Sequence, residues 1–138
     1  MKWITQKGNV RHLPEKKYSI DWFGNSLSVF QKSVKSFFFL HWSEDIVGEE
    51  VTLPYTRLRV DLMNFTRKIA IECNGKFHNE HTPYFQKNVG DFWGQVSRDV
   101  LKEQLLELNG FRVIEIYEKN MPLTEPWIIK TFGPEIIC

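Results

Sequence analysis

Two short alternating segments, residues 58–63 and 68–73, limit the possible folds of this chain more than any other feature. In the first, Leu58, Val60 and Leu62 alternate with Arg59, Asp61 and Met63, the period-two pattern of a strand with one buried face. The second, Lys-Ile-Ala-Ile-Glu-Cys, puts Ile69, Ile71 and Cys73 on one face and Ala70, Glu72 and Asn74 on the other. Only a turn at 64–67 joins them, so they pair as an antiparallel hairpin. Residues 49–53, ahead of a turn at Pro54-Tyr55-Thr56, predict one more strand in the same meander.

Helical periodicity flanks these strands. Leu27, Phe30, Val34, Phe37 and Phe38 predict an amphipathic helix over about residues 26–41, with Gln31, Lys32 and Lys35 on its outer face. A second helix is expected from near Asp91 to Asn109-Gly110, where the glycine supplies a left-handed cap. Its apolar face is Trp93, Val96, Val100, Leu101, Leu105 and Leu108, and its other face carries Arg98, Asp99, Lys102 and Glu103. Residues 112–117 form a closing strand, and a helix between two strands implies a crossover and parallel pairing. A last turn or two of helix fits residues 124–132, with Pro126 near its start. The expectation is an α/β fold: a mixed four-stranded sheet flanked by helices, in the order α-β-β-β-α-β. Residues 1–24 read as a basic N-terminal arm with one short strand at most, 25–120 as the core domain, and 121–138 as a tail packed on that core.

Composition excludes several function classes. With 42% apolar and 25% charged residues in 138, the chain has the balance of an ordinary globular protein. Its longest apolar run, Phe37-Phe38-Phe39-Leu40, is too short to cross a bilayer, and no export signal opens the sequence. Two cysteines, Cys73 and Cys138, make neither a disulfide framework nor a zinc pattern, which points to a reducing, cytoplasmic setting. The net charge of +1 hides an uneven distribution: residues 1–35 hold seven Lys or Arg against Glu15 and Asp21. Such an excess suits a polyanion, because each phosphate contact releases condensed counterions. A solvated surface is the competing explanation.

The chemistry centres on Asp61 and Glu72. Their strand parity puts both on the face opposite the apolar side chains, with ten residues between them across the turn. Two carboxylates held together there raise a pKa or require a cation. A hard divalent ion such as Mg²⁺ takes one or two carboxylates, a backbone carbonyl and retained waters. Pairing of Asp61 with Arg57 or Arg59, and of Glu72 with Arg67 or Lys68, is the purely structural alternative.

Asp61, then Glu72-Cys-Asn after an Ile-Ala-Ile strand, resembles the PD-(D/E)XK nuclease core. Residues 71–78 (Ile-Glu-Cys-Asn-Gly-Lys-Phe-His), Ser97-Arg98-Asp99 and the closing Gly110-Phe-Arg-Val-Ile-Glu-Ile-Tyr are similar to the very-short-patch repair branch and to phage free-standing homing endonucleases. The likeness covers about residues 28–118. It implies a Mg²⁺- or Mn²⁺-dependent DNA endonuclease, of a kind that phages encode, in which Asp61 and Glu72 hold the metal with the Cys73 carbonyl. It further implies His78 as the group acting on water or phosphate, Asp99 as the helix carboxylate, and Glu50 or its neighbour Glu49 as the leading acid. Asn74 stands where the pattern has lysine, and Lys76 or His78 are candidates to compensate. Phosphate contacts are expected from Lys7, Arg11, Lys16, Lys17, Arg98 and Lys102, and a homodimer is compatible. A catalytically silent DNA-binding module and a branched-DNA (Holliday junction) resolvase are the alternative functions.

Overall fold

A computed structural model describes residues 1–75 and 89–138, with side chains from residue 97 onward in the second stretch. The sheet has four strands in the order β3-β4-β5-β6: β3 (Val47–Thr52), β4 (Arg59–Asn64), β5 (Ile69–Asn74) and β6 (Arg112–Tyr117). The first three are an antiparallel meander, and β6 lies parallel to β5. The crossover between them contains α2 (Val89–Leu108). The expected order and the parallel closing pair are both present, and the sheet is mixed.

Each face of the sheet is covered. On one, α1 (Val29–Trp42) and α3 (Glu125–Phe132) pack Val34, Phe38, Trp42 and Ile128 against Leu62, Ile69, Ile71, Ile114 and Ile116. On the other, Leu105 and Leu106 of α2 pack on Met63, Ala70 and Phe111. Strand β5 shows the division most clearly, with Ile69, Ile71 and Cys73 facing α1 and Ala70 facing α2.

Local chemistry sets the helix ends. The Ser28 hydroxyl accepts the Gln31 amide at 3.0 Å and starts α1, and Thr124 caps α3 with Pro126 in its first turn. At the end of α2, Gly110 takes φ +82°, letting the Phe111 amide reach the Leu106 carbonyl at 2.9 Å. Among the described residues no helix is long and apolar enough to cross a membrane.

Two expectations need correction. Residues 1–24 hold a two-stranded hairpin, β1 (Lys2–Ile4) with β2 (Val10–His12), not one strand at most. It is joined to the rest: Trp3 and Leu13 are fully buried in the α2-side core, and the Asn109 side chain bonds both the amide and the carbonyl of Ile4, at 2.7 and 3.0 Å.

The second correction concerns the outer face assigned to α1. Gln31 and Lys35 are buried there, with Lys35 at 0% exposure, while Leu27 is 68% exposed. The reason is angular: residues 31, 34, 35, 38 and 42 form one helical stripe, so whatever buries Val34, Phe38 and Trp42 also buries Gln31 and Lys35. The Lys35 ammonium donates to the Asp21 and Gly24 carbonyls at 2.8 and 3.1 Å and to Glu49 at 3.1 Å. Removing one member of a buried pair leaves an uncompensated charge, so Lys35→Met should cost roughly 3–5 kcal/mol in urea unfolding. A loss within experimental error of zero would mean that Glu49 is relieved by water.

Candidate functional site

The register of the sheet aligns four carboxylates. Glu49 pairs with Leu62 and Val51 with Val60; Glu50, between them, takes φ +54° and is not itself paired, but it lies across from Asp61 and feels its charge. Leu62 pairs with Ile71, so one step further Asp61 falls opposite Glu72. Glu72 itself pairs with Glu115 of β6. Asp61 and Glu72 therefore lie together on the α2 side of the sheet, as their parity predicts.

Neither group is in open water. The Cys73 amide donates to Asp61 Oδ2 at 2.7 Å, and Lys102 of α2 brings its ammonium to 3.0 Å from Glu72 Oε1. The same ammonium donates to the Arg59 carbonyl at 2.9 Å, so it is fixed between the helix and the two central strands. Lys102 acts on Glu72 both as a charge and as a hydrogen-bond donor, and Oε1, the oxygen it approaches, is buried.

The electrostatics follow from this crowding. Burial, above all, pushes Glu72 up to about 8; Asp61 adds to the rise and Lys102 opposes it. Burial also raises Asp61, against the pull of the Cys73 amide and of Lys102. Glu50 is raised by burial and by Asp61, with the Gln31 hydrogen bond opposing. Asp99 contributes to the rise at Glu72, which puts this helix carboxylate near the pair.

Other expected residues fall as follows. Between Glu49 and Glu50, it is Glu50 that stands opposite Asp61; Glu49 is committed to Lys35, to Gln31 at 3.0 Å and to Ser26 at 2.6 Å. Asn74 pairs in register with Tyr117 and its amide lies near the phenol, whose hydroxyl donates to Glu115 at 2.6 Å. Lys7, Arg11, Lys16, Lys17 and Arg98 are exposed, and Arg11 stacks on Tyr55 at 5.1 Å. Lys102, expected on the outer face of α2, points into the carboxylates instead. Its helix is turned relative to the expectation: Leu105 and Leu106 are buried, while Val100 and Leu108 are about half exposed. His78 and Lys76 lie outside the described residues.

Sequence reasoning missed the inward role of Gln31, Lys35 and Lys102, and it missed Glu115. The first two were detectable from the 31-34-35-38 spacing, and Lys102 from the adjacent leucines three and four residues later. Glu115 required the β5–β6 register.

Among the described residues no three His, Cys, Asp or Glu side chains are grouped to hold a metal. Two facing carboxylates, both raised by burial and compensated by one lysine, are nevertheless the kind of oxygen donors a hard divalent cation takes, with carbonyl oxygen and water in its remaining positions. No family model matches the chain, and no curated protein or solved structure matches it.

The raised Glu72 has a consequence for stability. A folded-state value of about 8 against an ordinary 4.5 means that the folded protein holds a proton the unfolded chain has released. Stability from this group is complete below about pH 4.5 and is lost as pH rises through 8. The melting temperature of metal-free protein should fall across that window, and Glu72→Gln should flatten the fall. If the pair holds Mg²⁺, added ion should raise the melting temperature more at pH 8.5 than at pH 6, because binding must displace the proton. Thermal melts at several pH values, with and without Mg²⁺, measure all three.

Proposed function

We propose that the protein is a divalent-metal-dependent DNA endonuclease on a PD-(D/E)XK-type core, similar to the very-short-patch repair and phage homing branch. One observation carries this reading: Asp61 and Glu72 face each other under α2 with the Lys102 ammonium beside them. Asp61 and Glu72, with the Cys73 carbonyl, would hold Mg²⁺ or Mn²⁺. When bound, such an ion polarises a phosphate oxygen and lowers the pKa of its water.

The chain's own groups supply the rest. Lys102 provides the positive charge that the pattern places on a strand lysine and that Asn74 lacks, available to stabilise charge developing on a phosphate. Asp99 and Glu50 add to the negative field that attracts the cation. His78 would act on the water or the phosphate, with Lys76 as its alternate, and Arg98 would steady the backbone. Exposed Lys7, Arg11, Lys16 and Lys17 would contact flanking phosphates.

One observation favours a second reading. Asn74 is turned to Tyr117 and carries no charge, which suits a catalytically silent DNA-binding module. A resolvase would use the same site, as a dimer, on four-way junctions.

Cleavage of supercoiled plasmid and of a four-way junction, with and without Mg²⁺, tests these readings. Mg²⁺-dependent cutting should vanish in Asp61→Ala. Lys102→Met should slow single-turnover cleavage roughly 100-fold, the usual worth of one stabilising donor. His78→Ala should slow it by about two to four orders of magnitude with DNA affinity nearly kept. Junction-selective cutting would identify a resolvase, and salt-sensitive binding with no cutting of either substrate would identify the silent module.

Binding should weaken steeply with salt. Because Trp3 and Leu13 are core residues, deletion of the first 24 residues would unfold the protein rather than test its charge. Replacing Lys7, Arg11, Lys16 and Lys17 with Gln should instead reduce the salt slope by roughly one unit for each phosphate left unneutralised. An unchanged slope would remove these residues from the interface.

A further inference from the structure

Buried polar side chains between α1 and β3 form a chain of contacts that ends at the candidate site. Lys35 holds Glu49 Oε1 at 3.1 Å, leaving Oε2 to accept from Ser26 Oγ at 2.6 Å and from Gln31 Nε2 at 3.0 Å. The same Gln31 nitrogen donates to Glu50 Oε1 at 2.8 Å. Gln31 is only 4% exposed, so its amide is fixed on both sides by packing and by hydrogen bonds.

Position adds a second unusual feature. Gln31 is the third residue of α1 after the Ser28 cap, from which a glutamine ordinarily reaches back to the cap's own amide. Here its side chain reaches the sheet instead. Glu50 meanwhile takes φ +54°, a left-handed conformation that a non-glycine residue rarely adopts. That backbone re-aims its carboxylate so that one amide can hold Glu49 and Glu50 together, while Glu50 still interacts with Asp61 in the neighbouring strand.

We propose that Gln31 is a positioning residue: its amide, held by the Lys35–Glu49 pair, sets the direction of the Glu50 carboxylate relative to Asp61 and so helps the site take a divalent cation. The proposal rests on the nuclease reading for its cation and on hydrogen-bond geometry for its mechanism. Helix α1 thereby acts on a site that lies across the sheet from it. Without the amide, two neighbouring carboxylates lose the donor that joins them, and Glu50 is free to swing to Arg59, whose guanidinium is 3.6 Å from its other oxygen.

The test uses full-length protein and Mn²⁺ alone, titrated by electron paramagnetic resonance, with crystal structures of the metal-free variants. Gln31→Met and Gln31→Leu both remove the donor, and thermal melts establish which is folded at the assay temperature. Each should weaken Mn²⁺ binding roughly 10-fold, the lower end for groups that orient a metal site's ligands. Glu50→Gln should do the same, and Q31M/E50Q should be no weaker than E50Q. In the Q31M crystal the Glu50 carboxylate should move from the position it takes in the parental protein, towards Arg59. Parental affinity in Q31M, losses that add in the double variant, or an unmoved Glu50 would each overturn the proposal. If the parental protein binds Mn²⁺ no better than Asp61→Asn, the nuclease reading fails instead. The crystal structures then decide the positioning role by themselves: a displaced Glu50 sustains it and an unmoved one overturns it.

Discussion

An ammonium group sealed from water has to be met by charge and by carbonyl oxygen, and Lys35 is met by both. Its Nζ draws the Asp21 and Gly24 carbonyls from the segment before α1 and Glu49 from the edge strand β3. Three parts of the chain that would otherwise pack through non-directional apolar contacts are thus placed relative to one another by direction. Replacing such a group with an apolar one of similar shape can be tolerated where both partners change together, but not where one remains. Because Glu49 and Glu50 are adjacent in β3, the contact that holds Glu49 against α1 also fixes the backbone from which the Glu50 side chain starts.

The two faces of the sheet treat charge in opposite ways. On the α1 side, Lys35 donates to Glu49, and Gln31 donates to both Glu49 and Glu50. On the α2 side, two facing carboxylates share one lysine, and burial raises both of them. A folded protein tolerates that imbalance only by keeping a proton or taking a cation. The satisfied network supports the fold; the under-compensated pair is the part with chemical potential left to use.

Much of this was legible in the sequence, and what was not has definite causes. Strand alternation is a two-state pattern, so Asp61 and Glu72 could be assigned to one face from parity alone, and the β6 boundaries needed only the apolar run after Gly110. Helix faces are misjudged where residue type overrides angle. Gln31 and Lys35 look like surface residues, yet their spacing from Val34 and Phe38 places them inward. On α2, counting Val100 and Leu108 as core rotates the assigned face away from Leu106 and hides Lys102. The β1–β2 hairpin escapes notice because three-residue strands carry too little pattern. The positive φ of Glu50 has no signature at all, since glutamate is not a residue that local preference would put there.

Asn74 and Lys102 together show why a departure from a strand pattern does not decide the chemistry. A residue two positions after Glu72 shares its face, so a lysine at 74 would have been the shortest route for a positive charge. In this chain that position turns instead towards β6, where Tyr117 and Glu115 occupy the neighbouring register positions. Helix α2 crosses the same face, and a lysine descending from it reaches Glu72 without using the strand. Its ammonium is held by the Arg59 carbonyl as well, so it is anchored over β4 and β5 rather than free to wander. Charge supplied from a helix carries a different dependence from charge supplied by a strand. Its position follows the packing of Leu105 and Leu106, which seat α2 on Met63, Ala70 and Phe111. The apolar core on that side therefore sets the distance between the lysine and the carboxylates, and packing there is inseparable from the electrostatics of the site.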